Sequence, residues 1–210
     1  MEYKFNPEQK FTEQWFDAII PMWDKAFKID SINFTKIKNV LEIGCYEGRA
    51  TSYLCSEHLL DGTNYDVVDT FGGSLEEDGM SGTAERLKES DFIFNNFNHN
   101  ISFYPKVNFE IYRGYSHNLL PKLNKDNKKY DFIYIDASHR ADDTFVDAYY
   151  AHKMLNKDGI LIFDDFAWKD PTDSHPVVSP ELGIRQFFTM YKESYNVVFT
   201  GYQVAAQKTT

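Results

Sequence analysis

The residues best suited to chemistry stand at the ends of two apolar runs, Tyr130-Asp-Phe-Ile-Tyr-Ile-Asp136-Ala-Ser-His139 and Gly159-Ile-Leu-Ile-Phe-Asp164-Asp165-Phe. Each run has the pattern of a buried strand, and each closes on acid. Neighbouring parallel strands lie about 4.8 Å apart, so Asp136, Asp164 and Asp165 can converge at their carboxyl ends. Taken singly, these acids read as well as caps at the ends of strands. Together they would repel unless a cation sat between them. An all-oxygen donor set suits a hard divalent ion, Mg²⁺ above all, with water and substrate oxygens completing the shell. His139 stands three residues beyond Asp136, within reach of a hydroxyl held there. An unperturbed imidazole, with a pKa of about 6.5, is largely neutral near pH 7 and able to accept a proton. The alternative for His139 is a turn residue bonded to backbone.

A second constellation precedes this one. In Val40-Leu-Glu42-Ile-Gly44-Cys-Tyr46-Glu-Gly48 a strand runs into a glycine turn, and a helical pattern follows from about Arg49. Glycines allow a ligand close to the main chain, while a helix start offers unpaired amides to a carboxylate or phosphate. The second strand closes on Asp69, from which a carboxylate can accept both ribose hydroxyls in a Rossmann-like fold. A G-x-x-x-G turn also arises for purely steric reasons. This one lacks the middle glycine that admits a pyrophosphate, which disfavours NAD and FAD and fits a nucleoside cofactor without phosphates.

The elements that must position these residues follow from periodicity. Apolar runs at Val40 to Ile43, Tyr65 to Val68, Phe109 to Tyr112, Phe132 to Ile135 and Ile160 to Phe163 alternate with helical patterns, which predicts an α/β fold: a parallel sheet with helices on both faces. Asn196 to Thr200 and Tyr202 to Ala206 flank Gly201 and predict an antiparallel pair at one edge. Phe11, Trp15, Ile19, Met22, Trp23 and Phe27 recur at three- and four-residue steps, a single helical face with a break at Pro21. Thr70 to Ser90 and Ala167 to Pro180 are weakly patterned and follow strands, so they are the candidate lids. Asp173, His175 and Trp168 in the second of them could face a substrate.

Composition narrows the ligand classes. The 210 residues carry a formal charge of -10, which would repel a phosphate backbone and excludes nucleic acid as a natural partner. No apolar stretch approaches the roughly 20 residues that cross a bilayer, and Met1 to Lys10 has no signal-peptide character, so a cytoplasmic protein without a membrane partner is expected. Cys45 and Cys55 are the two cysteines, and free thiols in a reducing compartment account for them.

The glycine turn resembles the first motif, E-x-G-x-x-x-G, of the class I S-adenosylmethionine-dependent methyltransferases. With the two acidic strand ends and Asp136-Ala-Ser-His139, the chain is similar over about residues 38 to 166 to the metal-dependent O-methyltransferases, in the branch with a D-A-S-H signature (methyltransferase family 24). The resemblance implies a Rossmann-like class I fold, a mostly parallel seven-stranded sheet with an antiparallel C-terminal edge. It implies one domain over 1–210, with a helical cap at 1–37 and the core at 38–210. It further implies S-adenosyl-L-methionine bound by Glu42, Gly44, Tyr46, Gly48, Asp69, Gly114, Ser116 and Asp136. Asp136, Asp164 and Asp165 would hold the divalent metal, Mg²⁺, and His139 would be the catalytic base. Three positions depart from catechol-type members: Asp165 replaces asparagine, Ala50 replaces a serine used on the cofactor carboxylate, and Ser138 replaces the aromatic that stacks on adenine. Thr51 or a helix-start amide could substitute for that serine. Histidine as base resembles sugar-modifying relatives, so the expected acceptor is a hydroxyl of a saccharide or glycan. O-methylation of a catechol or other phenol is the alternative, and a non-catalytic nucleotide-binding domain a second. A homo-oligomer is compatible with all three.

Overall fold

The computed structural model describes residues 3–27, 33–73, 91–169 and 177–210. Among them one sheet contains β1 (Asn39–Ile43), β2 (Asn64–Asp69), β3 (Asn108–Arg113), β4 (Tyr130–Ile135), β5 (Leu155–Phe163), β6 (Tyr195–Thr200) and β7 (Val204–Lys208). Their order is β3-β2-β1-β4-β5-β7-β6. Strands β1 to β5 pair in parallel, whereas β7 is antiparallel to both β5 and β6. The mostly parallel sheet with an antiparallel C-terminal edge is therefore as the sequence predicts.

Side-chain alternation along the strands sorts the core into two layers. Val40, Tyr65, Val67, Phe132, Tyr134 and Ile162 point to one face, where they meet Trp23 of α1 (Ile20–Phe27), Leu54 of α2 (Arg49–Glu57) and Phe97 of α3 (Phe92–Ile101). Leu41, Ile43, Ile133, Ile135, Leu161 and Phe163 point to the other, against Leu120 of α4 (Ser116–Lys125), Ala148 of α5 (Ala141–Met154) and Ile184 of α6 (Pro180–Tyr191). Strand β1 has β2 on one side and β4 on the other. The chain reverses direction across the sheet there, the place at which open α/β sheets take ligands beyond the carboxyl ends of the strands.

The N-terminal segment differs from the single helical face expected for it. A 3₁₀ turn spans Trp15–Ala18 and α1 begins at Ile20, with Pro21 in its first turn. A proline there gives up an N–H that has no helical acceptor, so Pro21 starts the helix rather than breaking it. Ile19, Trp23 and Phe27 are buried, but Trp15 is 55% exposed. Residues 10 to 12 instead lie across the glycine turn. Asn100 brackets Lys10, accepting from its N–H at 2.6 Å and donating to its carbonyl at 2.8 Å. Glu47 accepts from the Thr12 N–H at 2.5 Å and from its hydroxyl at 3.0 Å. At the other end, Gly201 N–H donates to the Gln203 carbonyl at 2.8 Å, and β7 starts at Val204, two residues later than predicted. Much of both candidate lids, with Asp173 and His175, lies outside the described residues.

Candidate active site

Backbone pairing carries the strand ends into register. Asp136 N–H donates to the Ile43 carbonyl at 2.8 Å and Asp164 N–H to the Ile135 carbonyl at 2.9 Å. The ends of β1, β4 and β5 thus lie side by side, with Gly44 against the Asp136 main chain. A Cβ on Gly44 would sit 2.0 Å from the Asp136 carbonyl oxygen, and its φ is +81°. This glycine is demanded by strand packing as well as by any cofactor. Gly48, with φ +78°, caps α2 without a side-chain bond, and a Cβ there would meet Phe97 at 2.8 Å.

Asp69 holds the glycine turn in shape. One carboxylate oxygen accepts from the Cys45 and Tyr46 amides at 2.6 and 2.9 Å, and the other from the Phe71 amide at 2.6 Å. A carboxylate has about four lone-pair sites, so acceptor capacity is left for a ribose. Tyr46 adopts φ +50°, and its ring packs against Trp15 at 5.3 Å. Glu42 is buried and accepts from Thr51 at 2.5 Å and Tyr65 at 2.7 Å, while its Oε1 meets no donor among the described residues. Desolvation pushes its pKa up to about 7, against those two hydrogen bonds. The Thr51 hydroxyl is committed to Glu42, and the start of α2 has no side-chain cap, which leaves helix-start amides able to donate to an anion.

The acidic cluster is partly buried and rests on a fully buried phenol. The Tyr134 hydroxyl donates to Asp136 Oδ2 at 3.1 Å and also to Asp164 Oδ2. Desolvation, then repulsion from Asp164 and Asp165, raises the Asp136 carboxyl well above its ordinary range. Asp164 is pushed up to about 6 by desolvation and by Asp165. Asp165, at φ +55°, turns aside: Oδ1 accepts from Tyr202 at 2.7 Å and Oδ2 pairs with His139 Nε2 at 3.0 Å. The His139 ring stacks on Trp168 with centroids 4.3 Å apart. Among the described residues, no three His, Cys, Asp or Glu side chains already form a cation-binding group.

A family described as a methyltransferase domain matches residues 41–166, more than half of the chain. The protein belongs to this methyltransferase family. No curated protein sequence matches the chain. Solved structures similar to this methyltransferase include the O-methyltransferase from Bacillus cereus in complex with SAH, at 16% identity and a TM-score of 0.59, covering 96% of this chain and 84% of that one. Another is TomG from Streptomyces achromogenes, an O-methyltransferase of tomaymycin synthesis in complex with SAM, at 14% identity and a TM-score of 0.61, covering 90% and 80%. A third is CalS11, a TDP-rhamnose 3'-O-methyltransferase of calicheamicin biosynthesis, at 13% identity and a TM-score of 0.54, covering 92% and 80%. At these identities the likeness is one of fold, the class I arrangement described above.

In the methyltransferase, the residues singled out from sequence fall into groups. Gly44, Tyr46 and Asp69 meet at the glycine turn, Asp136 and Asp164 meet on Tyr134, and Asp165 meets His139. Gly114, at φ +149°, ties β3 to β2 through an N–H bond to the Asp69 carbonyl at 2.8 Å. Ser116 opens α4. Ser138 donates to Asp143 at 2.9 Å, so its hydroxyl is engaged with α5. Exposed Tyr115, stacked on His117 at 5.4 Å, is the aromatic beside the Gly114 turn. Tyr134, Gln203 and Tyr202 escaped the sequence reading. A signal existed for Tyr134, because two-residue periodicity puts it on the same strand face as Asp136. None existed for Gln203 or Tyr202, whose contacts are made by tertiary packing. His152 has a structural place: it bonds the Tyr195 hydroxyl at 3.0 Å, and burial lowers its pKa to about 4.

Proposed function

We propose that this methyltransferase is an S-adenosylmethionine-dependent, divalent-metal-dependent O-methyltransferase acting on a hydroxyl of a saccharide or glycan. The observation that carries the reading is the acidic cluster at the ends of β4 and β5 with an imidazole paired to its rim through Asp165. Its donor chemistry fits a cation. Burial first, then repulsion from Asp165 on both and from Asp164 on Asp136, raises the proton affinity of Asp136 and Asp164, and carboxylate oxygens suit Mg²⁺. Asp136 and Asp164 would hold the ion, with Asp165 at its edge. A bound cation supplies Lewis acidity that makes a sugar hydroxyl easier to deprotonate. S-adenosylmethionine supplies an electrophilic methyl group.

The chain's own residues do the rest. The glycine turn, Asp69 and the start of α2 bind and orient the cofactor, with Glu42 and Asp136 nearby and Gly114 to Ser116 on the adenine side. With Nε2–H donating to Asp165, His139 takes the proton of the substrate hydroxyl on its other ring nitrogen, Nδ1. Asp165 sets the resting tautomer and then stabilises the imidazolium. Trp168 fixes the plane of the ring and offers an apolar wall at the mouth of the site. The saccharide assignment is supported by the histidine base and by a neighbour in fold that methylates TDP-rhamnose.

Calorimetric titration with S-adenosylmethionine, with and without Mg²⁺, tests the cofactor. A methyl-transfer assay on sugar and catechol acceptors, before and after exhaustive chelation, tests the rest. Turnover that survives chelation undiminished would make the carboxylates structural, and transfer to catechols alone would replace the saccharide.

A further inference from the structure

Beneath the acidic cluster runs a hydrogen-bond chain whose direction is fixed at every link. The Trp23 indole N–H donates to the side-chain oxygen of Gln203. The Gln203 amide nitrogen donates to the Tyr134 hydroxyl at 3.2 Å. Tyr134 then reaches Asp136 Oδ2 at 3.1 Å and Asp164 Oδ2. Trp23, Gln203 and Tyr134 each have 0% exposure, so bulk solvent reaches none of them.

An indole N–H can only donate, so Gln203 must turn its oxygen to Trp23 and its amino group to Tyr134. The phenol has a single proton, and with Gln203 donating to its oxygen that proton points at the carboxylates. We propose that Tyr134 is a positioning residue whose hydroxyl donates between Asp136 and Asp164 and holds their oxygens at one point, with Trp23 and Gln203 fixing the direction of that donation. The proposal rests on the reading of the cluster as a cation site. Without the hydroxyl, neither Asp136 nor Asp164 keeps the bond that turns its Oδ2 to the shared point. With the hydroxyl between them, both donors are in place before a cation arrives, the work that outer-shell partners do at metal sites. It also makes α1 part of the site, although Trp23 and Gln203 are 180 residues apart in sequence.

The test compares Tyr134→Phe, Trp23→Phe and the double variant in the full chain. Mn²⁺ binding is followed by electron paramagnetic resonance, and S-adenosylhomocysteine binding by calorimetry. Tyr134→Phe is expected to weaken Mn²⁺ binding by about 10- to 100-fold and to leave S-adenosylhomocysteine affinity within about twofold, whereas general loosening of the fold would lower both together. Trp23→Phe is expected to weaken Mn²⁺ binding in the wild-type background and to add nothing in the Tyr134→Phe background, because it acts through that hydroxyl. Wild-type Mn²⁺ affinity in Tyr134→Phe, or additive effects of the two substitutions, overturns the proposal. Should Tyr134→Phe fail to fold, Gln203→Met removes the amide that donates to the Tyr134 hydroxyl and to Asp164 and frees the phenol proton to turn; it too should weaken Mn²⁺ binding, and unchanged affinity overturns the proposal. If the wild-type protein binds no Mn²⁺, the cation reading fails. A metal-free crystal structure of Tyr134→Phe, or of Gln203→Met if that variant is the one that folds, then decides the positioning claim: separated Asp136 and Asp164 carboxylates sustain it, and unmoved ones overturn it.

Discussion

His139 is constrained from two sides, by the Trp168 face at 4.3 Å and by Asp165 at 3.0 Å, so one ring nitrogen is kept at the rim of the acidic cluster. Replacing it should damage chemistry rather than cofactor binding. His139→Ala is expected to lower turnover by about 10²- to 10⁴-fold, with S-adenosylmethionine affinity intact by calorimetry; near wild-type turnover at saturation removes the residue from the mechanism. Asp69 has a different signature, because it accepts three backbone amides. Asp69→Ala should weaken cofactor binding by roughly 1.5 to 3 kcal/mol and also lower the unfolding temperature. A loss of affinity with unchanged unfolding would reduce Asp69 to a ribose contact alone. At this scale the sequence told which residues are acidic and where strands end, and that sufficed to gather Asp69 at the glycine turn and Asp136 beside Asp164. It did not tell which way a side chain turns. Asp165 occupies a left-handed backbone position and faces His139, a choice made by packing around Tyr202.

At the scale of elements, the glycine turn is locked to β4 as tightly as to any ligand. Gly44→Ala would drive a Cβ to 2.0 Å from the Asp136 carbonyl oxygen at φ +81°, and is expected to destabilise the fold by about 3 kcal/mol or more. Gly62 has nearly the same conformation, φ +86°, with nothing within 4 Å; Gly62→Ala should cost only about 1 kcal/mol. Denaturant unfolding of both variants separates steric demand from conformational strain, and equal losses would contradict the packing account. Buried strands were legible because each is a compact apolar run, visible without knowledge of its neighbours. The N-terminal segment was not. Its aromatic spacing imitates one long helix, whereas Asn100 and Glu47 pin residues 10 to 12 by side-chain bonds that no local pattern reveals. The start of β7 was displaced for a similar reason, since Gln203 turns inward to Trp23.

The whole molecule buries several acids in two layers around one sheet, and its stability should report on them. Asp147 of α5 is 1% exposed, and among the described residues neither carboxylate oxygen meets a donor at hydrogen-bonding distance. Burial pushes its pKa up to about 7, opposed in part by the nearby Ser116 hydroxyl and reinforced by Asp143. In the unfolded chain an aspartate titrates near 3.9. Below that pH both states hold the proton, and above about 7 both have released it. Between the two only the unfolded state ionises, so this group's contribution to stability is complete at low pH and is lost as the pH rises to about 7. Glu42 acts in the same direction. His152 acts in the opposite one: its lowered pKa means that stability is lost as the pH falls below about 6.5. Raw pH profiles would mix these contributions, but a difference between two proteins that share Glu42 and His152 isolates Asp147. Asp147→Asn removes the ionisation and keeps the shape. Its stability relative to wild type is therefore expected to rise by on the order of 3 kcal/mol between pH 4 and pH 8, with most of the change between pH 5 and 7. Urea unfolding at a series of pH values measures it, and a difference that stays flat across that window would mean that the folded protein leaves Asp147 an ordinary aspartate.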